Sequence, residues 1–181
     1  MNEPRDDNRL SAGALPLPAG HNTVNGFIVV KGAAEFLEFV CEVFEGTENV
    51  PVRTPDRDGT LIHAEVRIGT STIMVADTKP GWPSLHALTQ VYVKDAQAVL
   101  TCAVERGGRV VTEVTPFYNR VSIARFLDRW GNLWWLFEPQ TEPASEEPVS
   151  DVSWHRKEPS YVYRTLMETM SKLSDDSPRS T

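Results

Sequence analysis

Val29-Val30-Lys31-Gly32-Ala33-Ala34 is echoed at positions 92–97 by Tyr92-Val93-Lys94-Asp95-Ala96-Gln97. In both copies an apolar run of strand composition breaks at Lys, then Gly or Asp, and passes at once into a stretch of helical composition. A strand that opens a helix, written twice, predicts two related modules. Around the first copy, Asn25 to Val30 reads as a strand. Ala33 to Phe44 carries apolar residues at 36, 37, 40, 43 and 44, which is one stripe along a helix. Gly46 is placed to end that helix. Val50 to Arg53 reads as a short second strand, followed by a turn over residues 54–59. Leu61 to Ile68 alternates, with Ile62, Ala64, Val66 and Ile68 on one face and Leu61, His63, Glu65 and Arg67 on the other, and Thr72 to Ala76 returns.

Residues 77–83, with two prolines and Gly81, link the modules. Leu88 to Val93 opens the second copy, Ala96 to Arg106 is its helix, Gly107-Gly108 ends the helix, and Arg109 to Val114 is the next strand. After a turn at Pro116 to Asn119, Ser122 to Leu127 and Leu133 to Phe137 form a hairpin around Asp128-Arg-Trp-Gly-Asn132. The order of elements repeats, so the expected class is α+β, with βαβββ modules over 24–77 and 88–138 inside one domain, 23–138.

Residues 1–22 mix Pro, Gly, Asp and Asn without apolar periodicity and read as a flexible lead-in. Residues 139–160 read as an acidic, Pro-rich linker or strap. Helical periodicity returns over 161–174 through Val162, Leu166, Met170 and Leu173, which predicts a helix docked on its own subunit or laid across a dimer partner. In 181 residues, 40% hydrophobic and 24% charged, there is enough for one good core, and a net charge of -7 argues against nucleic acid or an anionic membrane as partner. No run approaches a signal peptide or membrane span, so a cytoplasmic address is expected. Cys41 and Cys102 lack CxxC or His companions and read as buried thiols.

Two βαβββ modules in tandem resemble the vicinal oxygen chelate superfamily, and within it the PhnB-like glyoxalase/bleomycin-resistance proteins. The likeness rests on Asp58-Gly59, on Ile62-His-Ala-Glu-Val-Arg-Ile-Gly69, on Ile73-Met-Val-Ala-Asp77 and on Asp128-Arg-Trp-Gly-Asn-Leu-Trp134, in that order and spacing. Val40 and Arg129 depart from the family pattern. The resemblance implies that each module curls into part of a half-barrel enclosing a cleft, that the chain forms a homodimer, and that small molecules are the ligands.

It also implies where a metal would sit, and the positions inferred are Asn25, Val75, Leu88 and Trp135. An amide, two aliphatic side chains and an indole cannot hold a divalent ion, so no metal and no cofactor are expected at those positions. His63, Glu65, Asp77, His86 and Glu138 stand near enough to form a different site. Alternation places Asn25, Phe27 and Val29, then Leu88, Gln90 and Tyr92, then Leu133, Trp135 and Phe137, on the cleft face. This lining suits a flat, mostly apolar ligand, or else the rings fill a closed core. Tyr118 and Arg120, with Asn119, lie on a loop that could close over a ligand. His63 and Glu65 face the same way and form a candidate acid and base pair, or a mutually satisfied surface ladder. The leading expectation is a metal-free binding protein for a hydrophobic or aromatic small molecule. The alternative is a lyase or isomerase using His63 and Glu65, or a relocated metal.

Overall fold

The computed structural model describes residues 17–18, 20–139 and 158–175, so most of the lead-in and of the acidic linker fall outside the described residues. Within them the first module runs β1 (Gly26–Val30), α1 (Ala33–Phe44), β2 (Thr47–Glu48), β3 (Thr54–Pro55), β4 (Leu61–Ile68) and β5 (Ser71–Asp77). The second runs β6 (Leu88–Tyr92), α2 (Ala96–Glu105), β7 (Arg109–Pro116), β8 (Val121–Leu127) and β9 (Leu133–Pro139), and α3 (Tyr161–Asp175) follows. Each module makes its own sheet, in the orders β1-β5-β4-β2 and β6-β9-β8-β7, with β3 also lying on β4. In both, the first strand pairs in parallel with the last, which closes an antiparallel hairpin. The repeat seen in the sequence is therefore a repeat in topology.

The second strand departs from expectation. Val50–Val52 is a 3-10 turn rather than a strand, because Pro51 has no N–H to give a ladder, and only the two-residue β2 and β3 flank it. The end of α1 also differs, since Glu45 and not Gly46 takes the left-handed conformation, with φ 53°. Gly46 serves close approach: a Cβ there would lie 3.2 Å from the Val40 carbonyl oxygen and 3.2 Å from the Val66 side chain.

Each module fastens its helix with a carboxylate from its last strand. Asp77 Oδ1 accepts from the Gly32 and Ala33 N–H groups at 2.7 and 2.9 Å, and Oδ2 accepts from Leu61 N–H at 2.8 Å. Glu138 Oε2 accepts from Ala96 N–H at 2.8 Å. These amides open α1 and α2 and have no partner inside the helix, so the carboxylates satisfy donors that would otherwise be orphaned. Asp77 and Glu138 are thereby committed to the fold.

Ile28, Val30, Ala64, Val66, Val75, Ala124, Phe126, Trp134 and Leu136 belong to one core shared by both modules. Phe44 of α1 packs 4.7 Å from the Trp134 ring and 6.1 Å from Phe126, while Phe36 meets Trp130 edge-on at 5.1 Å. The helix faces of the two sheets thus meet across α1 and α2, and their opposite faces lie outside this core. Arg129 reaches Glu35 at 2.9 Å and covers Trp130, whose Nε1–H donates to the Lys31 carbonyl at 2.8 Å. The family departure at Arg129 is therefore a clamp between modules. Arg106 pairs with Glu42 across α2 and α1, and Cys41 and Cys102 are free and half-buried rather than fully buried.

The β8–β9 turn has an exacting glycine. Gly131 sits at φ +86°, and a Cβ there would come within 2.8 Å of the His86 ring. Gly131→Ala is expected to cost about 1–2 kcal/mol from the backbone conformation, plus the displacement of His86. Urea denaturation checks this, and an unchanged midpoint would contradict it.

Candidate functional site

Strand alternation turns most of the expected lining to the outer faces, but Leu133, expected to line the cleft, is fully buried. Ile28, Val30, Val91, Trp134 and Leu136 turn into the core, and Phe27, Leu88, Gln90, Tyr92, Trp135 and Phe137 turn to the outer faces. Phe27 is 54%, Leu88 59% and Tyr92 66% exposed, so these side chains do not fill a closed core. On the second sheet the register lines up Gln90, Trp135 and Arg125 across one row and Tyr92, Phe137 and Ile123 across the next. Tyr92 stands 5.7 Å from Phe137, and Phe137 lies nearly parallel to Trp135 at 6.5 Å and 10°. Phe117 meets Phe137 edge-on at 6.2 Å and carries Tyr118 against it at 4.3 Å. Together these rings make an aromatic platform.

The predicted lining divides into two groups. Asn25, Phe27, Leu88, Gln90 and Tyr92 line one groove of about 1170 Å³ between the rims of β1 and β6. Trp135, Phe137 and Tyr118 are linked through ring contacts on the second sheet, Leu133 is fully buried, and Arg120 sits in the 3-10 turn before β8 at φ 60°. Asn25 offers less than expected, because its side-chain amide is closed on the backbone N–H and carbonyl of Asn22.

One of the four inferred metal positions needs correction. Ala64 pairs with Val75 but Ala124 pairs with Leu136, so the second hairpin is one residue longer and the counterpart of Trp135 is Met74. Val75 faces the core and is fully buried. The set becomes Asn25, Met74, Leu88 and Trp135, which offers a divalent ion one amide oxygen and one weak thioether. Such donors do not fit the metal of the superfamily. Among the described residues no three His, Cys, Asp or Glu side chains converge in a way that could hold an ion.

His63 and Glu65 do come together, on the outer face of the first sheet. His63 Nε2 lies 3.2 Å from Glu65 Oε1, and His21 Nε2 reaches the same oxygen at 3.4 Å. Asn49 Nδ2–H donates to Glu65 Oε2 at 2.9 Å. The hydrogen bond from Asn49 and then the two imidazoles hold the Glu65 carboxyl below its ordinary range, against the opposing effect of its burial. A carboxylate so occupied orients imidazoles better than it takes protons. His21 lies in the stretch read as lead-in, and the carbonyl of its neighbour Gly20 accepts from Thr72 Oγ1 at 2.6 Å.

Arg125 is the residue the sequence reading passed over. It rises from β8 on the outer face, 2% exposed, with its guanidinium carbon 3.9 Å over the Trp135 ring. Nη1 donates to the Val162 carbonyl at 2.8 Å and to Thr112 Oγ1 at 3.3 Å. Val162 belongs to α3, which docks along β7: the Tyr161 hydroxyl accepts from Glu113 N–H, and the Thr165 and Thr112 hydroxyls meet at 2.8 Å. Burial lowers the Arg125 guanidinium to about 10, so it remains a cation at neutral pH.

The architecture defines a duplicated βαβββ protein whose sheets share one core, the second sheet turning an aromatic row outward and the first a His and Glu cluster. Residues 20–136 match the Glyoxalase/Bleomycin resistance protein/Dioxygenase superfamily, and the chain belongs to it. An uncharacterized protein of Mycobacterium bovis is 28% identical over 131 residues, covering 66% of this chain and 85% of that protein. Among solved structures, protein PA1353 from Pseudomonas aeruginosa aligns with TM-score 0.55 at 18% identity, over 65% of this chain and 97% of that one. TioX from Micromonospora sp. ML1 aligns with TM-score 0.50 at 18% identity, over 65% and 99%. At these identities the solved structures establish the fold alone.

Proposed function

We propose that this chain binds a flat, largely apolar or aromatic small molecule against the outer face of its second sheet, without a metal at the superfamily positions. The observation that carries the proposal is the platform of Tyr92, Phe137 and Trp135, rings aligned on a sheet face that the core does not use. A homodimer belongs to the same proposal. Among the described residues β1 and β6 each have one strand neighbour, and their rims expose Phe27, Leu88 and Tyr92 beside the groove. A second copy laid on these rims would bury them and wall the platform.

A second reading rests on the contact between His63 and Glu65. With His21 on the same carboxylate oxygen, His63 is an oriented and partly exposed imidazole, suited to moving a proton in a lyase or isomerase reaction. Native mass spectrometry of the full chain tests the binding proposal. The expected species has twice the chain mass and carries a small molecule released on denaturation. A bare monomer at micromolar concentration would count against both the dimer and a tightly held ligand.

A further inference from the structure

Arg125 carries a charge that the described fold leaves uncompensated. Burial lowers its pKa, and no carboxylate of the described residues pairs with it. Its two hydrogen bonds both leave from Nη1 and end on neutral acceptors. Nε is buried with no acceptor, and Nη2 has none among the described residues. That leaves the Nε and Nη2 edge, which meets a carboxylate with two parallel N–H···O bonds. Leaving a guanidinium buried without a counter-charge is costly, and the Val162 and Thr112 contacts use Nη1 alone. A ligand that brings the counter-charge removes that cost.

We infer that the ligand of the platform is an aromatic or conjugated carboxylic acid, with its carboxylate on the free edge of Arg125 and its ring beside Trp135 and Phe137. This inference rests on the proposed aromatic site and names its chemical class. A carboxylate is the planar, singly charged group whose two oxygens match that edge. Trp135 stacks under the guanidinium and next to Phe137, which places the charged and flat parts of such a ligand on adjoining side chains. In the free chain the guanidinium is buried, with Nη1 bonded to the Val162 carbonyl in the first turn of α3, so the acid must displace whatever covers the Nε edge. That turn is held by the Tyr161, Val162 and Thr165 hydrogen bonds.

The test is calorimetric titration of the full chain with a naphthalene carboxylate and with its neutral carboxamide. The carboxylate is expected to bind about tenfold or more tightly than the carboxamide. Arg125→Gln should erase that preference, the two probes then binding alike. Should Arg125→Gln fail to fold, Arg125→Lys keeps the charge without the two-toothed edge, and should weaken the carboxylate several-fold. Equal binding of both probes to the unaltered chain, or a preference that survives Arg125→Gln or is untouched in Arg125→Lys, would overturn the assignment and leave the aromatic site standing. Binding of neither probe at millimolar concentration would overturn both.

Discussion

Trp134→Ala should cost the protein about 3–5 kcal/mol, a large part of the stability of a domain this size. Trp134 is fully buried where the modules join, with Phe44 at 4.7 Å, Phe126 at 6.3 Å and Phe36 at 6.4 Å from its ring. Its Nε1–H donates to Asp128 Oδ2 at 2.9 Å. That carboxylate also accepts from the Trp130 and Asn132 backbone N–H groups and from Asn132 Nδ2. Burial pushes the Asp128 carboxyl above its ordinary range, and the four donors oppose that effect. Truncation therefore opens a cavity between modules and removes one donor from a buried acid. Trp134→Phe should recover most of the packing and lose the hydrogen bond. Urea denaturation followed by circular dichroism measures both, and a loss below about 1 kcal/mol for Trp134→Ala would contradict the shared core.

The next residue along β9 should behave in the opposite way. Trp135→Ala removes the centre of the aromatic platform, and is expected to weaken binding of a flat aromatic ligand by tenfold or more. Its effect on folding should stay near 1–2 kcal/mol, since the ring is half-buried and its contacts are Phe137 and Arg125 rather than the core. His63→Ala should leave the same binding nearly unchanged. If His63→Ala abolished binding or an activity while Trp135→Ala spared it, the acid and base reading would take precedence.

How much of this was readable from the chain depends on which interaction fixes each feature. The modules and their helices are local: alternation and helical periodicity decide them, and α1 spans Ala33–Phe44 as the apolar stripe requires. The faces of β1, β6 and β9 follow from the same period of two. That period also explains the error at Val75, because one extra residue in the second hairpin shifts the counterpart by one, and a shift of one changes the face. Pro51 carried its own warning, since a proline between two valines denies a ladder its donor.

Arg125 was half legible. With Ala124 and Phe126 turned inward, the outward direction of Arg125 followed. Its burial did not, because α3 returns from the far end of the chain to cover it. His21 was hidden in the same manner, joining Glu65 only once the segment before β1 crosses the first sheet. Contacts made by terminal segments leave no periodic signal in sequence, and they are what complete both outer faces.

Elemental analysis of protein purified without a chelator or a metal-affinity tag bears most directly on the central claim, that Asn25, Met74, Leu88 and Trp135 at the superfamily's metal positions do not hold an ion. The expected result is far less than one equivalent of zinc, nickel, iron, manganese or copper per chain, and no thermal stabilisation on adding those ions. One equivalent of any of them, with a rise of several degrees in Tm on its addition, would contradict the claim.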